Sequence, residues 1–125
     1  QHLGFSVSSS PEAESFDVVI ECSGSEGGIG VALKSARRGA RYIAVGIVGH
    51  DVKMSVDVIL YKELLLTSGF ASTPHSWNRA LKLLENGSVR LAPLISRVEP
   101  LGNWPVVFKD LKNADVLKIV FDPRI

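Results

Sequence analysis

Cysteine is nearly absent. Cys22 is the only one, so no internal disulfide can form, and the chain fits a reducing, cytoplasmic setting. Histidine is scarce too. His2, His50 and His75 lie far apart, with no Cys or second His at ligand spacing. A zinc site needs three or four such ligands, so no metal is expected to bind here. Charge of one sign is missing as well. The net charge is +1, which argues against an electrostatic nucleic-acid or membrane surface. No apolar run approaches the ~18 residues that span a bilayer. Finally, there is no Gly-x-Gly-x-x-Gly. The closest stretch, Gly24-Ser25-Glu26-Gly27-Gly28-Ile29-Gly30, has Leu33 where the last glycine would stand, and it lacks the Gly-Lys-Ser/Thr of a phosphate loop. A flexible helix entry is the better reading of it.

What remains is a globular composition, with 46% hydrophobic and 22% charged residues over 125 positions, enough for a real core. Gln1-His2-Leu3-Gly4 opens without a methionine or a signal-peptide layout, as a segment cut from a longer chain would. Phe16-Asp17-Val18-Val19-Ile20-Glu21 is a near-continuous apolar, β-branched run. Such runs suit strands buried on both faces of a parallel sheet. Asp17 and Glu21 are expected to point out of its ends and to form no acid–base pair.

The next apolar face, Ile29, Leu33 and Ala36, predicts a helix ending at Arg37-Arg38-Gly39, with Gly39 as its cap. Lys34, Arg37, Arg38 and Arg41 would then complement its dipole. Strands are predicted over 41–46, 64–70, 92–98 and 117–121. Helices are predicted from Val56 to Leu64, from a Thr73 cap with Pro74 in the first turn as far as Gly87, and after a capping Asn103. Trp77 and Trp104 fall on apolar helix faces and read as core.

In order along the chain stand Phe16 to Gly24, Ala36-Arg37-Arg38-Gly39, Val45-Gly46, Lys62-Glu63-Leu64, Ser68-Gly69-Phe70, Pro93-Leu94-Ile95 and Lys118-Ile119-Val120. The series resembles the C-terminal part of a medium-chain, zinc-type alcohol or polyol dehydrogenase, sorbitol- or threonine-dehydrogenase-like. Gly39-Ala40 replaces the glycine pair usual in that family.

The resemblance implies an α/β fold. Residues 1–91 would be the second half of a Rossmann-like NAD(P)-binding domain, with three parallel strands and helices. Residues 92–125 would be a β-α-β tail that packs on a catalytic domain. It also implies a cofactor wall: Cys22, Ser23 and Gly24 beside the ribose, Val45, Gly46 and Ile47 along the nicotinamide, Ser68, Gly69 and Phe70 completing it, and Lys118 near the pyrophosphate. From the local sequence alone, an ordinary strand-to-helix turn is the stronger reading of residues 22–24, and a solvated strand-end lysine reads Lys118 equally well.

The parent enzyme would use NAD or NADP for hydride transfer and hold zinc on residues outside this chain. The isolated chain, without a glycine-rich turn, would bind the cofactor weakly or not at all and catalyse nothing. A homo-oligomer is expected, because the strand at 16–21 would be left with an open, apolar edge. The rival reading is a standalone, non-enzymatic interaction or structural module that keeps the half-Rossmann scaffold.

Overall fold

The computed structural model describes residues 4–111 and 116–125, so His2 lies outside it. The chain divides into two compact units, Gln1–Ala71 and Ser72–Ile125. That division falls well before the 91/92 boundary drawn from family roles.

The first unit is a three-stranded parallel sheet in the order β1-β2-β3. β1 is Phe16–Glu21, β2 is Ala36–Ala44 and β3 is Leu65–Ser68. Helix α1, Glu26–Ser35, joins β1 to β2, and α2, Val56–Lys62, lies before β3. Ser25 caps α1 through a bond from the Gly28 amide at 3.0 Å. The core sits on one face of the sheet. Ile29, Ala32 and Leu33 of α1 meet Ala36, Ala40 and Tyr42 of β2 and Leu64, with Val19, Val58 and Ile59 packed around them.

The structure corrects three expectations here. First, β1 is not buried on both faces: Val18 is 50% and Ile20 59% exposed. Among the described residues β1 pairs with β2 alone, and only its Val19 and Glu21 side turns toward the helices. Second, α1 stops at Ser35, and the chain from Ala36 onward already runs with β2. The register is irregular: Phe16 pairs with Ala36 but Val18 with Arg41. Gly39, at φ 71°, takes up the surplus within β2.

Third, most of the basic cluster lies past the helix end: Lys34 stands in the last turn of α1, but Arg37, Arg38 and Arg41 are on β2. Arg37 donates to Asp17 at 2.6 Å, and Arg38 pairs with Glu63 at 2.9 Å. Both pairs are exposed and contribute little to stability. The real cap of α1 is Lys62. Its Nζ donates to the carbonyls of Leu33, Lys34 and Ala36 at 3.0, 3.0 and 2.9 Å. The Glu14 and Ser15 amides take those of Lys34 and Ser35. With its last carbonyls held this way, the helix has no need of a glycine cap.

The second unit holds α3, Pro74–Glu85, then β4, Arg97–Pro100, α4, Trp104–Asp110, and β5, Ile119–Asp122. β4 and β5 pair in parallel, so the β-α-β tail is present. Thr73 caps α3 as its sequence predicts, accepting from the Ser76 amide at 3.2 Å. The strand predicted at 92–98 is instead a 3-10 turn, Ala92–Leu94, followed by β4. Pro93 lacks the N–H that a ladder would use.

Asn103 precedes α4 but makes no side-chain cap there; its amide donates to Glu99 at 2.9 Å. Trp77, 62% exposed, and Trp104, 55% exposed, are not core within this chain. Trp77 Nε1 donates to Ser72 Oγ at 2.7 Å, and Trp104 meets Phe108 edge-on at 6.0 Å.

Candidate functional site

At the carboxyl end of the sheet the chain leaves β1 and β2 through two loops whose first residues touch. The amides of Val45 and Gly46 both donate to the Glu21 carbonyl at 2.9 Å. Gly24 lies so close to Ile47 that a Cβ on it would stand 2.4 Å from the Ile47 carbonyl oxygen, and Gly24 is also at φ 61°. A Cβ on Gly46 would stand 2.2 Å from the Gly24 nitrogen. No side chain fits between the loops, so the two glycines serve the contact of one loop with the other.

Glu21 fastens this junction, and the sequence reading missed it. The residue is only 5% exposed. Its carboxylate accepts from the Ser23 hydroxyl at 2.5 Å, from the Ser23 amide at 2.7 Å and from the Gly24 amide at 3.1 Å. These bonds, the Ser23 hydroxyl first, hold its pKa below the usual glutamate value, and burial only partly opposes them. Ser23 Oγ lies 2.9 Å from Ser25 Oγ, which caps α1. A hydrogen-bonded chain thus runs from the end of β1 to the start of α1.

Gly28 belongs to this cluster: a Cβ there would stand 2.0 Å from Ser23 Oγ. Gly27 and Gly30 would meet nothing within 4 Å. The glycine-rich stretch is explained in part by packing around Ser23, not by a phosphate. An acidic residue at a strand end followed by Ser and Gly was the available signal.

Cys22 is exposed. With Ser23, Phe16, Val18 and Ile20 it borders a groove of about 380 Å³ between the outer edge of β1 and Val31 of α1. Ser68 pairs with Ala44, the residue before the 45–47 loop, at the end of the sheet. Val45, Ile47 and Phe70 are exposed, and Gly69 has open space around it. Lys118 belongs to the second unit. There its carbonyl accepts from the Ser96 amide at 2.7 Å, and it lines an apolar cavity of about 570 Å³ with Leu91, Leu94, Leu117 and Val120. Among the described residues no three His, Cys, Asp or Glu side chains gather as a metal site would require, so they do not fit zinc.

A family model described as zinc-binding dehydrogenase matches residues 7–86. The chain belongs to the zinc-binding dehydrogenase family. Among the family's curated proteins it is similar to sorbitol dehydrogenase of Halalkalibacterium halodurans, 24% identical over 86% of this chain and 32% of that protein. It is similar also to a putative D-xylulose reductase of Agrobacterium fabrum, 32% identical over 80% of this chain and 28% of that protein.

Two solved structures share its fold. L-idonate 5-dehydrogenase from Escherichia coli matches with a TM-score of 0.79 and 24% identity over 86% of this chain and 32% of that one. A putative zinc-binding dehydrogenase from Sinorhizobium meliloti, solved bound to NADP, matches with a TM-score of 0.76 and 28% identity over 88% of this chain and 32% of that one. The chain thus spans about a third of the length of the relatives it matches, in the Rossmann-like part of these α/β proteins.

Proposed function

We propose that this chain supplies one wall of the nicotinamide-cofactor site of an NAD(P)-dependent polyol dehydrogenase. The observation that carries the reading is the pair of interlocked loops, 22–24 and 45–47, at the carboxyl ends of adjacent parallel strands. Ligands of doubly wound sheets sit beyond those ends.

The cofactor supplies hydride transfer when bound. This chain's part is to bind and orient. The backbone of Val45, Gly46 and Ile47 offers N–H and C=O groups to a carboxamide. Cys22 to Gly24 flank the ribose. The Ser23 hydroxyl is already engaged with Glu21, so that turn contacts a ligand through its backbone. Ser68, Gly69 and Phe70 close the side. Residues beyond this chain would hold zinc and bind the pyrophosphate on a glycine-rich turn. The isolated chain binds NAD(P) weakly and is inactive.

The test is an amide-resolved NMR titration of the chain with millimolar NADH. Perturbations are expected at residues 22–24, 45–47 and 68–70. Perturbations confined to other segments, or none, would overturn the assignment.

The same reading predicts self-association. Among the described residues β1 and β3 each pair on one side only, and the face carrying Val18, Ile20 and Leu65 is exposed. Sedimentation velocity should show the mean mass rising with concentration. A strictly monomeric mass at every concentration would refute it.

A further inference from the structure

Glu21 is a buried carboxylate that no chemical step in the proposed function uses. It sits where the two loops meet. Its carbonyl accepts both loop amides, those of Val45 and Gly46. Its carboxylate accepts from Ser23 and Gly24. A Cβ on Gly46 would stand 2.6 Å from Glu21 Oε2 and 2.7 Å from the Gly24 Cα, so the carboxylate, the 22–24 turn and the 45–47 loop share one close-packed spot. We propose that Glu21 is a positioning residue: its ionised carboxylate latches the 22–24 turn against the 45–47 loop, and neutralising it frees the turn while the sheet and core stay folded.

The surroundings make the latch local. Of the titratable groups on elements around it, Tyr42 on β2 is held neutral, raised by burial and then by Glu21 itself. Cys22 on the same turn and Glu26 in the first turn of α1 are exposed. The 45–47 loop carries no titratable side chain. Asp17, Arg37 and Arg41 lie toward the other ends of the strands.

Among the described residues no cation pairs with Glu21. The latch is therefore held by neutral donors that favour the charged form. Its folded pKa is depressed. Its stabilisation is accordingly complete above the unfolded glutamate value, about 4.3, and is lost as pH falls through the folded value. The consequence for cofactor orientation rests on the reading proposed above; the test below contains no cofactor and stands or falls separately.

Amide positions are followed by NMR on the whole chain from pH 7 downward. Ser23, Gly24, Val45 and Gly46 should move together, with a midpoint below the ordinary glutamate range, while Ile29 and Leu33 in the core hold still. In Glu21→Gln, at pH 7, the Gly24 and Gly46 amides should already sit at their low-pH positions. The Gly24 amide should exchange with solvent at least roughly tenfold faster, as a local opening does. Three results would each overturn the latch: Ser23 and Gly24 titrating without Val45 and Gly46, the core amides moving at the same midpoint, or exchange unchanged in Glu21→Gln. Should that variant not fold, the pH series on the natural chain decides alone.

Discussion

Gly46→Ala should destabilise the first unit by about 3 kcal/mol, the upper end of what an overpacked methyl costs. The added carbon would stand 2.2 Å from the Gly24 nitrogen and 2.7 Å from its Cα. Both atoms are backbone, so no side chain can swing aside to make room. Relief requires moving one loop, and both are tied to Glu21. The Val45 and Gly46 amides would leave its carbonyl, or the Gly24 amide its carboxylate. Gly30→Ala is the control. It sits on the exposed side of α1, where an added carbon meets nothing within 4 Å. There alanine should stabilise by about 0.5–1 kcal/mol. Urea midpoints of the two variants should therefore move in opposite directions. A Gly46→Ala midpoint equal to that of the natural chain would mean that the loops are not in contact.

Lys62→Met should cost a similar amount, about 3 kcal/mol. The Lys62 side chain is only 15% exposed, and its ammonium lies 3.4 Å from Glu14 and donates to three carbonyls at the end of α1. Lys34 keeps a second partner in the Glu14 amide. Leu33 and Ala36 lose the one that Lys62 provides, and a buried acceptor without a partner costs about 1–3 kcal/mol. The favourable meeting of a cation with the helix C-terminus is lost as well. Methionine keeps the length and apolar stem of lysine, so packing is not the variable. Lys34→Met, at an exposed position in the same helix, should change stability by less than about 0.5 kcal/mol. Thermal unfolding of both variants checks the pair, and equal melting temperatures would contradict the capping role.

Local signals were legible in the sequence where they are local in the structure. Thr73 and Pro74 announce α3, and the apolar run at 16–21 announces β1. The ordered motifs between Phe16 and Phe70 indicate a parallel sheet of this family. The misreadings have a common cause in contacts distant along the chain. Gly39 follows a plausible helix end, but α1 is closed earlier by a lysine that stands on α2. Val18 and Ile20 look like two-sided core because their composition suits a central strand, yet among the described residues their face is left at least half open. The same holds for Trp77 and Trp104. Glu21 reads from the sequence as pointing out of the strand end; the fold shows that Ser23 and Gly24 turn back onto it. The cofactor-wall residues came from family resemblance. The structure brings the 22–24 and 45–47 segments into contact and pairs Ser68 with Ala44.

The central claim, half of a cofactor site, is tested most directly by the affinity of the chain for NADH. Calorimetric titration should give a dissociation constant weaker than micromolar, less than about 8 kcal/mol of binding free energy, because the wall offers backbone groups without a pyrophosphate cradle. Sub-micromolar binding would contradict the account.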